Sequence, residues 1–199
     1  MAGVALTAYL LFMVLAFGVR AIVQRRRTGS TGFRGLRPGA GIVEKLAGVL
    51  FVVAVLIGLV APALQLFGAV TPVVDTWVTR TLGAVLAAAG ILATLFAQGT
   101  MGDSWRVGVD PAETTALVTG GPFAVVRNPI FTAMTVAAAG LTLLAPNVVA
   151  IVGLATLLAA ILLQVRVVEE PYLLRVHGEA YRTYGRRVGR LLPGVGRFG

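Results

Sequence analysis

Cysteine is absent from the 199 residues, which excludes disulfides, thiolate nucleophiles and cysteine-bound metals. Histidine is nearly absent: His177 stands alone, too few for a histidine-ligated metal centre. Charge is scarce too, with 13% of residues charged against 57% hydrophobic and a mean hydropathy of +0.89. A soluble domain does not show that balance, so most of the chain belongs in lipid. The apolar runs do not alternate with the two-residue period of a membrane strand, which excludes a β-barrel. Internal repeats and low-complexity segments are also missing. No Lys or Arg precedes the first apolar run, so it lacks the basic start of a cleaved signal peptide and reads as a retained helix.

What the sequence does have is a series of nearly uncharged windows, each about as long as a helix needs to cross ~30 Å of hydrocarbon. The expected fold is all-α: an integral membrane bundle of about five transmembrane helices forming one domain, 1–199. Residues 1–98 supply three spans, near 3–23, 44–60 and 81–97. Residues 99–199 supply a polar interval, two further spans near 129–145 and 148–165, and a tail. Arg20, Arg25, Arg26, Arg27, Arg34 and Arg37 follow the first span, whereas residues 61–79 hold two prolines and no basic residue. The positive-inside rule then puts the N-terminus outside and the C-terminus in the cytoplasm. On this reading the net charge of +9 sets topology and meets lipid headgroups, and nucleic acid is not an expected partner.

Within the polar interval, Trp105 to Val109 reads as extended or irregular, and Asp110-Pro111-Ala112-Glu113 reads as a helix start with a capping box. Asp103, Ser104 and Trp105 could border an entrance, although a bland loop explains them as well. Pro146-Asn147 is only a tight turn, so the last two spans are expected as an antiparallel helical hairpin with both open ends on the cytoplasmic side. Topology alone then brings Arg127-Asn128 beside Glu169-Glu170. Pro171 should kink or restart the helix, after which Tyr172, Leu173, Val176, Ala180 and Tyr184 share one face of an interfacial helix that can also fold over the hairpin mouth.

Ionisable residues at membrane spans mark functional sites by default. The same charges are equally consistent with arginines that snorkel to the interface and pair with Glu169 or Glu170. Tyr181 and Tyr184 fit a site or an interfacial anchor, and His177 fits a solvated helix end.

Two motifs separated by the hairpin add to this. Gly121-Pro122-Phe123 followed by Arg127-Asn128-Pro129, and Glu169-Glu170 followed by Leu173-Leu174, His177-Gly178, Tyr181, Tyr184, Val188, Arg190 and Pro193, resemble the C-terminal region of the isoprenylcysteine carboxyl methyltransferase family. The likeness covers roughly the last 80 residues. It departs from the family at Asn128, where histidine is usual, and at His177, where phenylalanine is frequent.

The resemblance implies an integral-membrane enzyme that transfers a methyl group from S-adenosylmethionine to a lipophilic or lipid-linked acceptor at the cytoplasmic face. It also implies catalytic roles for Arg127 and Glu170. Cofactor contacts are then expected from Gly121, Pro122, Phe123, Arg127, Asn128, Pro129, Glu169, Glu170, Tyr181 and Tyr184, with Arg127 on the carboxylate and a glutamate on the ammonium or ribose. Asparagine cannot carry a proton, so no acid/base role falls to Asn128. Two other readings stand beside it: an NADPH-dependent membrane reductase of the sterol-reductase type, and a non-catalytic scaffold or lipid-binding protein. The methyl acceptor and the oligomeric state are not legible in the sequence.

Overall fold

A computed structural model describes residues 1–33, 35, 39–108 and 116–199. The capping box expected at Asp110 to Glu113 lies outside them. Among the described residues the chain is helical and has no strand. Helix α1, Ala2–Thr28, contains a π-helical turn at Val14–Val19. Next come α2, Ile42–Leu66, and α3, Trp77–Met101. The chain continues through α4, Pro129–Leu144, and α5, Val148–Leu163, and a second π-helical turn, Gln164–Glu169, leads into α6, Glu170–Arg187. Four helical segments are long and apolar enough to cross a membrane. The exception is α4, whose 16 residues reach only about 24 Å, short of the ~30 Å core.

Side-chain size decides which helices pair. Gly90 of α3 and Gly140 of α4 are so close to the opposite helix that an added Cβ would lie 2.3 Å from Ala137 N and 2.2 Å from Ala87 N. With Ala87, Ala133 and Ala137 between them, these residues bring the two backbones into contact along the whole of α4, as small residues do between membrane helices. On the other side α5 packs against α2, where Gly153 receives Ile57. Helix α1 closes the bundle over Gly58, and Tyr9 donates to Val55 O at 2.5 Å.

This pairing refines the expected hairpin. The last two spans do double back, but α4 and α5 touch only sparsely because each is packed on a different partner. The hairpin is splayed, and its open end widens into a cavity. Pro171 behaves differently as well. It lies just past the π-helical turn, and the helix passes through it without a break. The break comes at Gly178, whose φ of +52° rotates the remainder of the helix. Tyr181 and Gly185 are therefore buried, and Ala180, expected on the face of Tyr172, is exposed.

At the end remote from the cavity the turn at Pro146-Asn147 is bolted down. Asn147 is fully buried; its Oδ1 accepts from Ala150 N, and its Nδ2 donates to Ala61 O and Gln65 Oε1. Val73 N adds a bond to Pro146 O. Helix α3 starts nearby with a capping box between Thr76 and Thr79. Next to it, Arg80 donates twice to Asp75, both at 2.7 Å, which holds that carboxyl below the usual range.

Candidate functional site

The segment before α4 is shaped by its own residue types. Gly121 has φ +58°, and a Cβ there would lie 3.1 Å from the Thr100 methyl, so both the backbone and the space call for glycine. Pro122 then starts a single 3-10 turn, Gly121–Ala124. Beyond it the chain extends beside the C-terminal tail. Val126 bridges Gly189 in parallel, Arg127 N donates to Gly189 O at 2.8 Å, and Asn128 N donates to Arg190 O at 3.1 Å. Asn128 Nδ2 and the Thr132 hydroxyl donate to Arg190 O and Leu191 O, and Pro129 opens α4. The tail thus returns to the hairpin mouth, one of the two placements its amphipathic pattern allowed.

Arg127 and Glu170 meet as the doubled-back topology requires, and they bind each other. Arg127 NH2 donates to Glu170 Oε1 at 2.5 Å, with the arginine side chain fully buried and the glutamate side chain 9% exposed. The other terminal N–H groups of Arg127 go to the carbonyls of Gly185, Val188 and Gly196. Its guanidinium lies 4.4 Å from the Phe198 ring centre, a cation–π distance. Arg190 grips the same carboxylate bidentately, at 2.8 and 2.9 Å, and that bonding raises its own pKa. This accounts for all four terminal N–H groups of Arg127. With those four engaged, the Arg127–Glu170–Arg190 triad clamps the tail onto the hairpin.

Glu169, one residue earlier, ends the π-helical turn and faces a cavity of about 530 Å³. That volume lies within the usual range for small-molecule sites. Its polar residues include Glu169, Gln164, Arg106, Asn128 and Tyr184. Arg106 is the cation that acts on Glu169, and it also stacks 5.2 Å from the Tyr172 ring. The apolar wall holds Phe17, Val49, Val52, Phe131 and Met134. Phe123 and Tyr181 line the cavity as well, and the Tyr184 hydroxyl donates to Phe123 O at 2.5 Å, joining tail to motif.

The residues singled out in the sequence therefore divide. Phe123, Asn128, Pro129, Glu169, Tyr181 and Tyr184 line the cavity, along with part of Arg127; Gly121 and Pro122 shape the wall behind it; Glu170 faces the clamp. Trp105 lines the cavity too, beneath Arg20 at 5.0 Å, whereas Asp103 is turned away and pairs with Arg27. Sequence reasoning missed Arg106, Gln98 and Phe198. Arg106 stands alone in a polar interval and Gln98 ends an apolar run; only their contacts with distant segments give them meaning.

A family model described as "Phospholipid methyltransferase" matches residues 78–180, just over half of the chain. The match takes in nearly all of α3, the first motif, the part of the second from Glu169 to Gly178, and the first half of α6. No curated protein matches the chain.

Proposed function

The chain belongs to the phospholipid methyltransferase family, integral-membrane methyltransferases related to the isoprenylcysteine carboxyl methyltransferases, and on that premise we propose that it methylates a lipophilic acceptor with S-adenosylmethionine as donor. The observation that carries this reading is the cavity's mixed lining. A water-soluble donor and a lipid-soluble acceptor need a single chamber with both charged and apolar side chains, and the 530 Å³ cavity has both.

The residues present fit the cofactor. Glu169 suits its ammonium group, Arg106 suits its carboxylate, and Phe123, Tyr181 and Tyr184 offer ring faces to the adenine and the sulfonium. When bound, S-adenosylmethionine supplies a methyl group on an already activated sulfur, so the protein need contribute no nucleophile of its own. What the chain contributes is alignment and exclusion of water. Arg127 and Glu170 act here as positioning residues: their clamp with Arg190 holds Asn128, Phe123 and the tail tyrosines at the cavity. A phospholipid suits the apolar part of the chamber, whose residues lie on α1, α2 and the shorter apolar helix α4.

The cavity end of the bundle is also the basic end. Only Arg80 interrupts the stretch between Lys45 and Arg106, and no basic residue lies between Arg127 and Arg166. By the positive-inside rule the cavity faces the cytoplasm, where the cofactor is made.

The test is isothermal titration of the purified protein with S-adenosylhomocysteine, which keeps the ammonium and carboxylate groups. We expect saturable binding, weakened about 10- to 100-fold by Glu169→Gln, the range for losing one charge-assisted hydrogen bond. Absence of heat and of thermal shift at millimolar ligand would end the proposal.

A further inference from the structure

The tail that returns to the hairpin mouth carries apolar side chains that the clamp does not use. Leu191 packs inward, against the cluster of Ala54, Leu157, Ile161 and Val165, and its carbonyl accepts from Thr132 in the first turn of α4. The next four residues reverse the chain. Val195 N donates to Leu192 O at 3.1 Å, with Pro193 and the left-handed Gly194, φ +76°, at the two corners, the residue types of a type II turn. Arg190 N closes the reversal on Val195 O at 2.7 Å. This bonded turn presents Leu192 and Val195 outward, 58% and 59% exposed.

The turn also sits where the bundle runs short. Helix α4 covers only about 24 Å, against a hydrocarbon core of ~30 Å. Its far end is covered, since Leu144, Ala145, Pro146 and Asn147 are all buried. That leaves the deficit at the near end, where the tail is bonded to Asn128 and Thr132. The turn's surroundings are basic: residues 182–199 hold five arginines and no acidic residue, and Arg187 and Arg197 are exposed. A Cβ on Gly194 would lie 3.7 Å from Arg197 NH2, which places that cation at the turn itself. An apolar tip rimmed by cations matches a leaflet whose acyl chains lie beneath anionic headgroups.

We propose that the turn at 192–195 is seated in the lipid leaflet at the basic end of the bundle and completes the bilayer-facing surface that α4 is too short to supply. Leu192 and Val195 lie among acyl chains, and Arg187 and Arg197 meet the phosphates. Just beyond the turn, Gly196 O and the Phe198 ring contact Arg127, so the leaflet also helps to hold the clamp closed. Neither cofactor nor methyl acceptor enters this inference, and it stands or falls apart from the methyltransferase reading.

The lack of native cysteine makes a clean test possible. The full chain, carrying one nitroxide label at Leu192→Cys or Val195→Cys, is placed in nanodiscs of phosphatidylcholine and phosphatidylglycerol. Val85→Cys, on the exposed face of α3, serves as the lipid reference and Asp75→Cys as the water reference. Collision with oxygen and with a water-soluble nickel chelate is read by electron paramagnetic resonance. Both tail labels should match Val85→Cys, open to oxygen and shielded from the chelate. In the same nanodiscs, Leu192→Gln with Val195→Gln should keep Tm unchanged and speed tryptic cleavage of the tail about fivefold or more, the direction expected for removing two aliphatic side chains from lipid. Leu192→Ile with Val195→Ile should be cleaved as slowly as the unmodified chain.

The proposal is overturned if the chelate reaches the tail labels as readily as it reaches Asp75→Cys, because the turn then lies in water. It is also overturned if neither oxygen nor chelate reaches them, because protein, from this chain or a second copy, then covers the turn. A change in cleavage smaller than about fivefold for the glutamine pair would likewise remove the leaflet's part in holding the clamp.

Discussion

The two ends of the bundle are closed by different chemistry. At one end Asn147, neutral and fully buried, satisfies a helix start, a helix end and its own turn with a single amide. At the other, a buried arginine and glutamate, joined by the half-buried Arg190, hold carbonyls of a returning tail. Surplus polarity is also found there: the buried side-chain atoms without a partner among the described residues belong to Arg20, Gln24, Gln98, Arg127 and His177, all of which lie at the cavity end. A neutral closure can be completed within the protein and then serves stability alone. A charged closure beside a cavity leaves unspent hydrogen-bonding capacity, which is what a ligand site requires.

Breaking the charged closure should have the largest effect. Glu170→Ala leaves Arg127 buried without its counter-ion, and such losses cost about 3–5 kcal/mol. We expect a lower Tm in detergent and a tail newly sensitive to trypsin; a loss under about 1 kcal/mol would show that the clamp is not structural. Gly140→Ala tests the wall shared by both ends. Its Cβ would lie 2.2 Å from Ala87 N, so α3 and α4 must separate, at a cost of about 1–3 kcal/mol. Unchanged unfolding would contradict the close packing of those helices.

The neutral closure sharpens the contrast. Asn147→Ala removes a cap and leaves buried groups unpaired, about 1–2 kcal/mol, yet S-adenosylhomocysteine affinity should hold within twofold. A matching drop in affinity would mean that the two ends are coupled. The smallest effect is expected at Asp75, exposed beside Arg80. Its pKa is depressed in the folded protein, chiefly by the hydrogen bonds from Arg80, so its contribution is present above the unfolded pKa and lost as pH falls through the folded one. Asp75→Asn should flatten only that acid-side slope of Tm, and added salt should mimic it.

Much of the bundle was legible because hydropathy is a local property. Uncharged windows give spans, and Pro146-Asn147 between two of them gives a reversal, whatever the partners are. The splay of that reversal was not legible, since it depends on Gly90 and Gly140 matching alanines on another helix, and small residues do not announce which helix they face. The register of α6 was hidden for a similar reason: one left-handed glycine, Gly178, turns a face that periodicity treats as continuous.

The candidate site divides in the same way. Sequence by itself determined that Arg127 and Glu170 would share one end of the bundle, because an even number of crossings separates them. Tertiary structure decided what they do there: bond to each other and to the tail, while Glu169 lines the cavity beside them. The physical reason is that a side chain's chemistry is set by which hydrogen-bonding partners are already taken, and that count exists only once distant segments have met.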